Sequence, residues 1–343
     1  MSVVAPQPYV EVAEVSKIYR SGTADAIEAV SSVSFTVPRG QFVAILGPSG
    51  CGKSTLLMML GGLEALTAGR ITVDGMPMSG PRTSIGVMFQ DSTLLPWKSA
   101  LDNVLFPIRV LKRPLDAYRD GARALLERVG LHDFAHKKPH ELSGGMRQRV
   151  AICRALVYDP ELLLMDEPFS ALDAITRDEM NELLLDLWQQ YTKTALFVTH
   201  SIREAVFLAD RVLVMTRRPA TIVEDLTIPF ARPRPRAIGE SREFNEICGH
   251  LRECIEESHY RELLRPRCDR SSSHDRRNPG RATDRVGPGT DCMAGAPWSQ
   301  PEAVAARHPA DGDRWSGAAD LADPRNRVAH PGRDPAASGR DRH

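Results

Sequence analysis

Gly47-Pro48-Ser49-Gly50-Cys51-Gly52-Lys53-Ser54-Thr55 follows an apolar run, Phe42 to Leu46, and precedes a helical pattern, Leu56 to Leu63. It matches GxxxxGK[ST], the phosphate-binding loop, in the strand-to-helix setting that this pattern requires. Its glycines let the backbone curl until successive N–H groups face one anion, at a helix N-terminus whose dipole adds partial positive charge. Lys53 is then the cation for β- and γ-phosphates, and Ser54 the hydroxyl that holds Mg²⁺. The plainer reading, a glycine-rich turn between strand and helix, is outweighed by pattern and setting together.

Around this loop, short apolar runs recur at Ile85 to Phe89, Leu162 to Met165, Leu196 to Thr199 and Val212 to Met215. Separated by helical patterns such as Asp178 to Gln190, they predict buried parallel strands. Tyr9 to Val15, Val33 to Val37 and Ile71 to Val73, the last ending at the turn dipeptide Asp74-Gly75, predict a small antiparallel sheet. From about Leu94 to Asp159 the pattern turns helical, most clearly over Ala122 to Val129 and Gly144 to Leu156. The predicted fold class is therefore α/β. A phosphate-loop NTPase core of mainly parallel strands carries an antiparallel β subdomain and an inserted helical subdomain.

Leu162-Leu163-Leu164-Met165-Asp166-Glu167 delivers two carboxylates at the C-terminal end of a buried strand, where open α/β sheets bind ligands. Successive strand side chains point opposite ways, so the pair can divide its labour. Asp166 would bind Mg²⁺ through water, and Glu167 would orient and deprotonate the attacking water. Alone, such a run is a strand leaving the core.

Leu142-Ser143-Gly144-Gly145-Met146, followed by Arg147-Gln148-Arg149, lies between these motifs. In isolation Ser-Gly-Gly reads as a helix N-cap and loop. In this position it resembles the Leu-Ser-Gly-Gly-Gln signature of the ATP-binding cassette (ABC) family, with Met146 in place of the glutamine. Because the backbone and Ser143 do most of the phosphate contact in the family, the change is expected to be tolerated. Other family marks come in order. Gln90 resembles the residue that links Mg²⁺ and water to the transporter interface. Ser170-Ala171-Leu172-Asp173 resembles the loop that contacts the partner subunit, and His200 the switch histidine at the γ-phosphate. Tyr19 stands where an aromatic ring stacks on adenine. By themselves Tyr19 and His200 would read as packing or surface residues.

The resemblance covers Tyr9 to Leu264 and implies the ABC ATPase fold with ATP and Mg²⁺ as cofactors. Nucleotide would be held by Tyr19, by Gly47, Pro48, Ser49, Gly50, Cys51, Gly52, Lys53, Ser54 and Thr55, and by Ser143, Gly144 and Gly145 of the opposite copy. Glu167, His200 and Gln90 would be catalytic, and Ser54, Gln90 and Asp166 would surround the metal. The implied partners are a second copy in a head-to-tail dimer, transmembrane permease subunits and, indirectly, a solute-binding protein. The implied location is the cytoplasmic face of the cell membrane, as a peripheral subunit. Met88 to Trp97, ending in Leu-Leu-Pro-Trp, resembles the nitrate, sulfonate and taurine importer branch, which often carries Met at position 146 as well. Pro96 and Trp97 would there pack on the coupling helix of a membrane subunit; the plainer reading is a hydrophobic turn. ABC ATPases acting on DNA or ribosomes usually carry a coiled-coil insertion or tandem cassettes, and this chain has one cassette with a short spacer. A regulatory nucleotide-binding subunit without turnover would not need Glu167 and His200.

With 343 residues, 42% hydrophobic and 26% charged, the chain can bury a full core. Lys plus Arg and Asp plus Glu are each 44, so no overall field draws it to nucleic acid or anionic lipid. The N-terminus, MSVVAPQPYVEVAEV, lacks a basic region followed by an apolar core, and no apolar run is long enough for a membrane span. A chain neither secreted nor membrane-spanning is expected. Cys51, Cys153, Cys248, Cys254, Cys268 and Cys292 lack CxxC spacing and predict neither a zinc knuckle nor a disulfide framework. From Arg265 onward Ile, Phe, Tyr and Lys are absent, while Arg, Asp, Ala, Pro and Gly dominate. Residues 265–343 are expected to be a disordered tail, and their composition also fits GC-rich codons read in a shifted frame. Asp interleaved with Arg dilutes any phosphate-binding field there.

Overall fold

A computed structural model describes residues 8–23 and 25–263. The expected tail, 265–343, lies outside these described residues.

Five apolar runs form parallel strands: β3 (Phe42–Leu46), β6 (Ile85–Met88), β7 (Leu162–Asp166), β8 (Thr194–Thr199) and β9 (Arg211–Met215). They lie in a six-stranded sheet of order β10-β9-β3-β8-β7-β6, where β10 (Ile222–Thr227) is an antiparallel edge. Both faces of this sheet are covered, which is why its strands read as unbroken apolar runs rather than as alternation. Phe42, Ala44 and Leu46 join one buried cluster with Met165 and Phe197; Val43 and Ile45 join a second with Leu164 and Leu196.

The second cluster is closed by α1 (Lys53–Leu60) and by an antiparallel sheet of order β2-β1-β4-β5. Its strands are β1 (Val10–Tyr19), β2 (Ile27–Val37), β4 (Ala68–Val73) and β5 (Met76–Pro77). β1 runs four residues beyond the predicted Val15 because register shifts between Val12 and Ile18 break the period of two. That irregular extension carries Tyr19 to the end of the strand.

The first cluster holds the helical subdomain: α2 (Ala100–Val104), α3 (Phe106–Val110), α4 (Leu115–Arg128) and α5 (Gly144–Leu156). It also holds α6 (Ala174–Tyr191), α7 (Ile202–Leu208) and α8 (Arg242–Leu263); α7 and α8 were not predicted, although Phe244, Ile247, Leu251 and Ile255 recur at helical spacing along α8. Among the described residues no helix is long and apolar enough to cross a membrane.

Register is what assembles the site. Leu46 pairs with Thr199, Asp166 with Val198 and Met88 with Met165, so β3, β8, β7 and β6 end level with one another. The segments that follow, carrying Gly47, His200, Glu167 and Gln90, therefore leave the sheet along one edge.

Candidate functional site

The loop between β3 and α1 needs glycine for two physical reasons. Gly50 and Gly52 have φ of 74° and 126°, which L side chains rarely adopt. A Cβ on Gly52 would also stand 2.7 Å from the Ala29 carbonyl oxygen. α1 has no acidic residue in its first turn and no side-chain cap, so no protein anion offsets the positive end of its dipole. Cys51 is buried, and burial pushes its thiol up, keeping it neutral beside the loop. Pro48 accepts from the Cys51 N–H at 3.3 Å.

Lys53 is 3% exposed; its Nζ donates to the carbonyls of Gly47 (2.9 Å) and Pro48 (3.0 Å) and lies 3.3 Å from Glu167 Oε1. Ser54 Oγ donates to Asp166 Oδ1 at 2.9 Å. Burial raises the Asp166 pKa most, the Ser54 bond lowers it, and the neighbouring Glu167 charge raises it again. Glu167 Oε2 is 2.8 Å from His200 Nδ1, with His200 itself 46% exposed. The pair Ser54–Asp166 and the chain Lys53–Glu167–His200 thus lie side by side, adjoining through the sequence neighbours Lys53-Ser54 and Asp166-Glu167.

Strand alternation does not separate the two carboxylates as predicted. β7 ends at Asp166, and Glu167 leaves it in the left-handed region with φ 43°. For a residue other than glycine this costs about 1–2 kcal/mol. Its neighbours hold it there: the Glu167 N–H donates to Val198 O at 2.9 Å, and both the N–H and the hydroxyl of Ser170 donate to Glu167 O.

Tyr19 donates from its hydroxyl to Thr55 Oγ1 at 3.3 Å. It lines a cleft of about 380 Å³ with Arg20, Ile27, Ala29, Thr55 and Arg218. Gln90 is exposed beyond β6, and among the described residues no hydrogen bond joins its side chain to the constellation. Ser143, exposed, N-caps α5 by accepting from the Met146 N–H at 3.2 Å. Gly145 lets α5 approach α6, since a Cβ there would stand 2.7 Å from Thr176 Cγ2. Met146 packs on the core, and Asp173 N-caps α6. No hydrogen bond or ion pair among the described residues joins Ser143, Gly144 or Gly145 to the phosphate loop.

Two positioning devices escaped the sequence reading. Buried Gln148 donates from Nε2 to Gln90 O at 3.1 Å and to Pro168 O, tying α5 to the segments after β6 and β7. Its spacing from buried Gly145 and Ile152 on α5 was the available signal, a polar residue on an apolar stripe. Glu204, also buried, accepts from Thr199 Oγ1 at 2.5 Å and lies 3.7 Å from Arg177 Nε. Arg177 in turn donates to Leu172 O at 2.7 Å, so the Ser170–Asp173 loop and the His200 segment share one network. That link joins residues distant in sequence and left no local pattern.

The family model described as "ABC transporter" matches residues 30–170. The nitrate import ATP-binding protein NrtD of Synechococcus elongatus is 49% identical over 211 residues, 61% of this chain and 77% of that protein. The taurine import ATP-binding protein TauB of Rhizobium johnstonii is 46% identical over 231 residues, 66% of this chain and 88% of that protein. Among solved structures, the dimeric post-hydrolysis state of the ATP-binding cassette MJ0796 bound to ADP and Pi is 31% identical. It aligns with a TM-score of 0.56 over 65% of this chain and all of that one.

Proposed function

This chain belongs to the ABC transporter family as an ATP-binding subunit with ATPase activity, and from that premise we propose how its residues divide the work. Two copies close head to tail on two Mg·ATP and drive permease subunits that import nitrate, taurine or a related small solute. The observation that carries this reading is the constellation of Lys53, Ser54, Asp166, Glu167 and His200 within hydrogen-bond reach at one sheet edge. The names of the import relatives support the solute class, and the dimer of the MJ0796 cassette supports the pairing.

Tyr19 offers its ring to adenine, and the Gly47–Thr55 backbone with Lys53 takes the phosphates. The Ser54 hydroxyl and the Asp166 carboxylate, 2.9 Å apart, are hard oxygen donors of the kind Mg²⁺ takes. An ion held by these two residues would supply positive charge to offset that of the phosphates. Glu167 takes the proton of the attacking water, and His200, on Glu167 Oε2, orients that carboxylate towards the γ-phosphate. Gln90 reports from this edge to the membrane partner. In this reading Ser143, Gly144 and Gly145 complete the site of the other copy. The subunit sits peripherally on the cytoplasmic face of the membrane and meets a solute-binding protein only through the permease.

Glu167→Gln should bind ATP normally, lower turnover at least about a hundredfold and trap an ATP-dependent dimer. Ser143→Arg should bind ATP as a monomer and form no dimer, as read by light scattering. Surviving turnover in the first variant would remove Glu167 as the base. An ATP-dependent dimer of the second would refute the shared site.

A further inference from the structure

Away from the nucleotide constellation, the edge strand β10 and helix α8 bring three donors of different chemistry together. Glu224 comes from β10, while His250 and Cys254, four residues apart, share one face of α8. His250 Nε2 is 3.5 Å from Glu224 Oε1 and 3.6 Å from Cys254 Sγ, and all the ligand atoms lie within 4.8 Å of one another. We propose that Glu224, His250 and Cys254 form a Zn²⁺ site that clasps α8 to β10.

The spacing is that of zinc ligands. Tetrahedral bonds of about 2.0–2.1 Å to nitrogen, 2.3 Å to sulfur and 2.1 Å to oxygen place N and S about 3.6 Å apart and N and O about 3.4 Å apart. The observed separations, 3.6 and 3.5 Å, match these two pairs, and Glu224 lies within 4.8 Å of Cys254 Sγ, so a rotation of the partly exposed Glu224 side chain would close the set. One imidazole, one thiolate and one carboxylate leave the fourth position to water, the pattern of an open zinc site. A thiol also selects against Mg²⁺, which keeps this site chemically distinct from the oxygen donors beside the phosphate loop.

The local field agrees. Glu224 is itself a carboxylate of the triad, and Glu253 and Glu257 place two more on α8 near Cys254. Those carboxylates attract a cation, and when Zn²⁺ binds, the S–H proton leaves to solvent as the Zn–S bond forms. The clasp acts on the C-terminal layer: α8 packs on β9 and β10 and also on α7, the helix that begins two residues after His200.

The test uses the untagged full chain, stripped of metal and titrated with Zn²⁺ against a chromophoric chelator. One tight Zn²⁺ per chain is expected, with affinity falling at least tenfold in His250→Ala, Cys254→Ser and Glu224→Gln. Cys268 and Cys292 also offer thiols, so the double variant C268S/C292S should retain the site. Co²⁺ should give a thiolate charge-transfer band that Cys254→Ser abolishes. In wild type, Zn²⁺ should slow alkylation of Cys254 at least tenfold, a reading that does not depend on any Cys254 or His250 variant folding. Undiminished binding in the three variants, or no tight binding by wild type, would overturn the proposal and leave the triad a hydrogen-bonded chain.

Discussion

Glu204 carries a carboxylate where water scarcely reaches, between the Thr199 hydroxyl and the Arg177 guanidinium. Burial, the largest cause, raises its pKa above the ordinary carboxylate value, while the Thr199 bond and Arg177 oppose the rise. A raised folded-state pKa means that the native state holds a proton which the unfolded state has already lost. Stability from this group is therefore greatest below its ordinary pKa and declines as pH rises through the raised one. Glu204→Gln removes that decline. The difference in melting temperature, variant minus wild type, should grow more positive from pH 4 to pH 7; a flat or opposite trend would show that Arg177 outweighs the burial. Glu167, held at φ 43° by Val198 and Ser170, shows the other residue-scale device. Its backbone strain aims a carboxylate at Lys53 and His200, which an extended strand end would not do.

Among the elements, α5 does the most to connect the site. Ser143 caps its start, Gly145 lets it lie close on α6, and Gln148 fastens its buried face to the carbonyls of Gln90 and Pro168. Gln148→Met keeps volume but leaves both carbonyls without this donor, at about 1–3 kcal/mol. For a domain of this size that is a loss of roughly 2–12 °C in melting temperature. Because the donor also fixes the segments that carry Gln90 and Glu167, kcat should fall at least tenfold while the KM for ATP changes less than threefold. Equal changes in both constants, or neither with only the melting temperature lowered, would reduce Gln148 to a packing residue.

On the scale of the assembled transporter, Trp97 is the residue to test. It is 68% exposed beside Pro96, so it is not part of the core, and a large exposed aromatic is the kind of anchor that interfaces use. Trp97→Ala should leave the melting temperature and basal ATPase of the isolated subunit unchanged. With the permease present, assembly should weaken by roughly thirtyfold, from the loss of about 2 kcal/mol at an anchor of this type. Solute-stimulated hydrolysis should go with it. A pull-down from detergent with parallel ATPase assays reads both, and normal assembly would move the docking surface elsewhere.

Much of the molecule was legible along the chain because its signals are local. A phosphate loop is nine consecutive residues, and a strand covered on both faces must be apolar throughout; both can be read without knowing any neighbour. The limits of β1 beyond Val15, the edge strand β10 and helix α7 were less legible, since register shifts interrupt the period in β1 and β10 and the seven residues of α7 are too few to repeat a pattern. The sequence by itself determined the α/β core, the loop, and the acidic strand end. Only the tertiary structure decided how Glu167 is aimed, that Gln148 and Glu204 tie separate motifs together, and that Glu224 meets His250 and Cys254. Each of these depends on strand register or on helices packing across long sequence separations, and a contact between distant residues imposes no spacing that the chain must display.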